Sequence, residues 1–333
     1  MIKIEDNECY LFLRSKKTLT VIMKNQIILF FALVLLFSCQ TEIDVKTPDY
    51  YDKIVVEGYI ENGEYPVVSF YRSAPYFSTI KMSLDYLVNS IIIQDAKVFV
   101  KPSNGAEQEL TLGLNLNYPL LYAYSTTNIV GELNTSYSLR IEWDGKVYTS
   151  ETKILNTFDL DSVSFVPRFG QAKIDTAANL RIKMTDNGQG GNYYQFKVKI
   201  HCKDFTDRLW ITTMPAAFDD SPFKGRSFNY EIMRSGTSAI FMPEMSDKER
   251  KRFLRGNYRI GDTVYMKYAK LDERSYRFWQ TAGGEITFGQ NPFMSPTPII
   301  SNIQCNTGEK CLGVWCGAAK KEMVMILDTA VKR

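Results

Sequence analysis

Apolar residues recur along this chain with two different periods. Residues 27–37 are eleven apolar positions in a row without a charge. A helix that crosses a bilayer needs about 20 such residues, and the core of a signal peptide about 7–15. From residue 53 onward the apolar residues instead alternate with polar ones in short bursts, the two-residue period of a strand with one buried face. Residues 53–60 and 66–71 flank the turn dipeptide Asn62-Gly63, and residues 95–100 are followed by Asn104-Gly105. Residues 137–143, Asp144-Gly145 and residues 146–150 make the clearest hairpin in the chain. This spacing predicts an all-β protein, beginning with an immunoglobulin-like β-sandwich over 53–153 that has no cysteine pair inside it.

The pattern resets near residue 154, and a second β-sandwich unit with two short helices is expected over 154–333. Residues 162–166, 179–186 and 193–203 alternate again. Between the last two lies Asn187-Gly188-Gln189-Gly190-Gly191-Asn192. A phosphate cradle needs glycines between a strand and a helix, so this loop reads as a hairpin turn. Ser246-Asp247-Lys248-Glu249 is a capping box opening a helix near 247–255, with Gly256 to stop it. Its basic residues, Lys248, Arg250, Lys251, Arg252 and Arg255, read as a solvated face, with lipid headgroups or an acidic partner as the alternative. A second helix is expected near 272–282, ended by Gly283-Gly284, and two strands close the chain at 312–316 and 323–327.

The apolar run at the start has its own grammar. Lys24 precedes it, and Leu36-Phe37-Ser38-Cys39 ends it, after which the chain turns polar and acidic. That ending resembles the lipobox of bacterial lipoproteins. The resemblance implies a signal peptide over 23–38, cleavage before Cys39, and fatty acylation of that cysteine. Residues 1–22 carry Glu5, Asp6 and Glu8, which do not suit a signal n-region, so they are expected to be a non-native leader. Residues 39–52, polar and containing Pro48, read as a tether.

Composition narrows the chemistry. Residues 1–38 hold five Lys/Arg and three Asp/Glu, so the formal charge of +3 falls to about +1 beyond them. A near-neutral surface argues against nucleic acid as a partner. His201 is the only histidine, which removes most zinc sites and means that any histidine-based triad must use it. It sits beside Cys202 in an alternating strand, where neighbours face opposite ways, so the two cannot work as a couple. Asp186, Asn187 and Asn192 could offer oxygens to calcium, but their spacing is not an EF-hand, and Asp219-Asp220 read as a turn. Neither a catalytic residue, a metal site nor a cofactor is expected. Beyond Cys39 the cysteines are Cys202, Cys305, Cys311 and Cys316. In an oxidising compartment Cys305 and Cys311, six apart, make the favoured disulfide, with free buried thiols as the alternative. Tyr71, Tyr76 and Phe77 around Pro75, and Tyr118, Tyr122 and Tyr124 in another irregular stretch, are candidate ligand or partner aromatics. The competing account is that they fill a sandwich core.

Several C-terminal segments resemble one family when taken in order. They are Leu271-Asp272-Glu273-Arg274-Ser275-Tyr276-Arg277-Phe278, then Asn291-Pro292-Phe293, Pro296 or Pro298, Ser301-Asn302-Ile303, and Leu312-Gly313-Val314-Trp315. With Ile54-Val55-Val56-Glu57-Gly58-Tyr59-Ile60 near the start, they are similar to the Bacteroidota outer-membrane lipoproteins of domain of unknown function 4249. The insertion from Cys305 to Cys311 departs from that family's pattern and suggests a local bridge. The resemblance implies a lipid-anchored outer-membrane protein, not an enzyme. It also implies work beside a TonB-dependent barrel in nutrient capture, with a glycan or peptide as ligand. Glu42 and Asp44 resemble a surface-export signal, which favours the cell exterior over the periplasm. A structural or adhesive surface module, or a glycan or peptide hydrolase, are the alternatives.

Overall fold

The alternation seen in the sequence becomes strands in a computed structural model, which describes residues 52–73, 86–167, 178–202, 205–234, 258–288 and 298–328. The first half holds β1 (Ile54–Glu61), β2 (Val67–Arg72), β3 (Lys97–Pro102), β4 (Gln108–Leu114), β5 (Tyr122–Ser125), β6 (Ser136–Trp143) and β7 (Lys146–Lys153). The second holds β8 (Ser162–Pro167), β9 (Ala178–Thr185), β10 (Tyr193–Cys202), β11 (Phe205–Thr206), β12 (Ile211–Met214), β13 (Phe218–Asp219), β14 (Ser227–Arg234) and β15 (Thr263–Leu271). After the helix α1 (Glu273–Phe288) come β16 (Gln304–Cys305) and β17 (Leu312–Ile326). The chain is all-β, and among the described residues no helix is long and apolar enough to cross a membrane.

In the first sandwich, β4–β5–β2–β1–β17 face β4–β3–β6–β7–β16, with β4 pairing into both sheets. The β6–β7 turn has positive φ at Asp144 and Gly145, as a tight two-residue hairpin requires. Val56, Ile60, Phe70, Val98, Ile141, Tyr148 and Trp315 fill this core. In the second, β17–β15–β10 carry β11, β12 and β13 on the far edge of β10 and face β8–β9–β14. Leu180, Ile182, Phe196, Val198 and Met266 fill that core.

One strand joins the two. Residues 312–318 of β17 run parallel to β1, residues 318–326 run antiparallel to β15, and Ala318 belongs to both ladders. The two closing strands expected from the sequence are therefore one. Its middle, Gly317-Ala318-Ala319-Lys320-Lys321-Glu322, looks like a break only because small and charged residues carry no alternating apolar signal. Residues 54–153 do not complete the first core alone, since Ile303, Cys311, Trp315 and Ala319 return to it.

Two other expectations change. The 187–192 loop is no hairpin: β9 pairs with β8 and β14, β10 with β15, so the loop crosses between facing sheets. The second helix does not stop at Gly283-Gly284 but runs through to Phe288. A Cβ on Gly283 would lie 2.6 Å from the Cβ of Ala216, so this glycine permits close helix approach and does not end the helix. The helix expected near 247–255 lies outside the described residues.

The family-like segments within the described residues turn out to be the joinery of β17, while Asn291-Pro292-Phe293 and Pro296 lie outside them. Trp315 is fully buried, its indole N–H donates to the Tyr137 carbonyl at 2.9 Å, and its ring lies on Gly58, where a Cβ would approach Cε3 to 2.6 Å. The Asn302 side chain clamps the Trp315 backbone, donating to its carbonyl at 2.8 Å and accepting from its N–H at 2.9 Å. Ser301 donates to the Gly313 carbonyl at 2.8 Å, and Gly313 has φ +119° with Val56 O where a Cβ would stand. Asp272 caps α1 by accepting from Ser275 N at 2.8 Å, while its other oxygen accepts from Lys153 N at 3.0 Å and from the Thr152 hydroxyl. That cap ties the helix to β7.

Candidate functional site

The shared sheet has a face turned away from both cores, and its residues are the polar members of the alternating strands. Glu57, Tyr59 and Glu61 come from β1, Lys197 and Lys199 from β10, Lys267 from β15, and Lys320 and Glu322 from β17. With α1 and residues 115–119 they enclose a cavity of about 550 Å³, to which Tyr118, Trp210 and Trp279 add rings.

Lysines and carboxylates divide unevenly inside it. Lys267 lies 2.6 Å from Glu61 and 3.5 Å from Glu322. Lys320 lies 2.5 Å from Glu64, 3.1 Å from Glu322 and 3.6 Å from Glu61. Lys197 and Lys199 rest on aromatic faces instead. The Lys197 ammonium is 4.5 Å from the Tyr59 ring centre and 5.5 Å from that of Trp279, and Lys199 is 5.0 Å from that of Trp210. Among the described residues neither forms an ion pair or hydrogen bond. Tyr59 donates to Glu57 at 3.0 Å.

Burial sets the protonation pattern. It lowers the Lys197 amine from its ordinary range, against the pull of Glu61, and it raises the Glu57 carboxyl despite the Tyr59 bond and Lys197. Glu61 goes the other way: burial alone works to raise it, but Lys267, Lys197 and Lys320 outweigh that and hold it below the usual carboxylate value. Tyr59 and Tyr118 are pushed well above theirs, chiefly by burial, and stay neutral.

Glu61→Gln is expected to cost about 2–3 kcal/mol at pH 7, somewhat below the ~3–5 kcal/mol seen when a fully buried pair is broken, because Glu322 remains beside Lys267. Since Glu61 titrates lower when folded, its contribution is complete above about 4.5 and fades as the pH falls through the folded value. Urea unfolding at pH 7 and pH 3 checks this. The gap between wild type and variant should narrow in acid, and an unchanged gap would contradict the ionic role.

The sequence candidates are scattered relative to this cavity. Tyr118 lines it. Tyr71 is half-buried on β2, with Glu57 among the charges that act on it, and Tyr122 is half-buried on β5. Tyr124 lies in the first core and donates to the Ile93 carbonyl at 2.7 Å. Cys39, Tyr76 and Phe77 lie outside the described residues. Cys305 and Cys311 are both free thiols and close neighbours. Burial, with the Cys305 sulfur within hydrogen-bonding reach, pushes the Cys311 thiol up to about 11. Exposed His201 contacts Thr206, with Nδ1 2.6 Å from Oγ1, while Cys202 is buried. Asp219 accepts from Tyr276 at 2.7 Å, and buried Asp220 accepts from Asn192 N at 3.3 Å. Among the described residues no group of three or more His, Cys, Asp or Glu is arranged to hold a metal.

Glu57, Tyr59, Glu61, Lys197, Lys199 and Lys267 were not legible as a site. Each is the polar half of an alternating strand, which normally means a face in water. Runs of strand charges interleaved with aromatics, as in Glu57-Gly58-Tyr59-Ile60-Glu61, were the available signal.

The fold and cavity together define an all-β protein of two sandwiches sharing one strand, with a charged, aromatic-walled cavity on the shared sheet. Residues 40–323 match the domain of unknown function DUF4249, and the chain belongs to that family. No curated protein matches it.

Proposed function

We propose that this is a lipid-anchored outer-membrane protein, facing the cell exterior, that works by binding and not by catalysis, as an accessory to a TonB-dependent barrel in nutrient capture. The cavity of about 550 Å³ carries the binding half of this reading, since it has the size of a small-ligand site and combines aromatic walls with a few charged groups. The anchoring half is supported by the charge before residues 27–37, their length, and the cysteine at their end. Two acyl chains hold stably, as each buried methylene contributes about 0.8 kcal/mol. A body tethered by lipid beside a barrel is placed to hand a captured ligand to its mouth.

Affinity purification of the full chain from native envelopes in gentle detergent tests the partnership. A large outer-membrane barrel is expected to come with it, and repeated recovery of the protein alone would overturn the accessory role. Protease applied to intact cells should digest the exposed body, whereas complete protection would place it on the inner side.

A further inference from the structure

The cavity contains more hydrogen-bond donors than acceptors at its aromatic end. Lys197 and Lys199, two apart on β10, point to the same side of the sheet. Neither ammonium has an ion-pair or hydrogen-bond partner among the described residues. The Trp279 ring closes the same wall beside Lys197. Lys197 stands directly opposite Lys267 in the β10–β15 ladder, a like-charge pairing that ordinarily destabilises a sheet. Glu61 answers Lys267 at 2.6 Å, but no carboxylate does the same for Lys197. Glu61, the carboxylate that acts most strongly on Lys197, is thus already paired, and Glu57 is bonded to Tyr59. Lys267 and Lys320, in contrast, are already paired with Glu61, Glu64 and Glu322.

We infer that the cavity takes a small organic carboxylate, whose oxygens accept from Lys197 and Lys199 while its body lies against Tyr59, Tyr118 and Trp210. This deepens the binding role proposed above and rests on it. An anion between Lys197 and Lys199 supplies the missing acceptors and relieves the repulsion from Lys267. A neutral ligand can offer acceptor oxygens but does not offset the repulsion. A uronic acid sugar and the free end of a peptide both bring the required group.

Equilibrium binding to the full chain, purified in mild detergent, gives the test. The probes are glucuronate and a glucuronate disaccharide, their neutral glucose counterparts, and a short apolar peptide with its carboxyl terminus free or amidated. Binding of either carboxylate probe, with at least tenfold preference over its neutral counterpart, is expected, and the series that binds identifies the source. Lys197→Met and Lys199→Met should each weaken that binding about tenfold or more, the scale of one charge-assisted contact. Thermal unfolding of the free variants separates this from a structural role: Lys197→Met should keep or raise the melting temperature, because it removes a repulsion. Equal binding of charged and neutral probes, binding of neither, or Lys variants that bind normally would each overturn the inference. A fall in melting temperature of the free Lys197→Met protein would also do so. Recovery of the barrel by full-length Lys197→Met/Lys199→Met tests the accessory role separately, since that contact does not need the ligand.

Discussion

Cys39→Ala is expected to shift the protein from the membrane pellet to the soluble fraction almost completely. The reason is that nothing else in the described residues can hold it in a bilayer by helix. A single acyl chain binds only marginally, so the effect should be large even if one of the chains alone survives. Fractionation by sedimentation and detergent partition reads the outcome, and mass spectrometry of the N-terminus reads the cause. The wild-type protein should begin at Cys39 with added acyl mass. A variant that still sediments with membranes, or an unmodified wild-type terminus, would remove the anchor and with it the placement beside a barrel.

Trp315→Ala should cost about 3–5 kcal/mol, the range for deleting a fully buried large aromatic side chain. Against a typical total of about 5–15 kcal/mol, that is enough to leave the protein marginal. Relaxation cannot readily refill the space. Gly58 lies under the ring and has no side chain to offer, and the Trp315 backbone is fixed by Asn302 at 2.8 and 2.9 Å. The indole N–H bond to the Tyr137 carbonyl is lost as well. Urea denaturation measures the loss, and a cost below about 1 kcal/mol would show that the ring is not the keystone of the first core.

What the sequence disclosed and what it hid follow from the same periodicity. Alternation located strands such as residues 137–143 and 146–150 because each buries only one face, and Asp144-Gly145 marked the turn because its backbone needs positive φ. The cavity was hidden for the complementary reason. A polar residue on a strand points away from the core, and nothing local says whether it meets water or the rest of the same chain. Lys267 and Glu61 are 206 positions apart in sequence and meet only because β17 carries one sheet through both sandwiches. Long-range strand pairing of that kind leaves no trace in a local window. Gly283 shows the same limit in miniature: as a helix stop it was read from its neighbours in sequence, whereas its role is set by Ala216 across the fold.

The strand that serves two ladders also constrains how the molecule comes into being. β17 follows every other strand described, and neither core is closed before residues 312–326 arrive. A chain still emerging during synthesis therefore has no finished half to set aside while the remainder follows. Folding becomes a single late event, and the edges of β1 and β15 that β17 will cover stay unpaired until it happens.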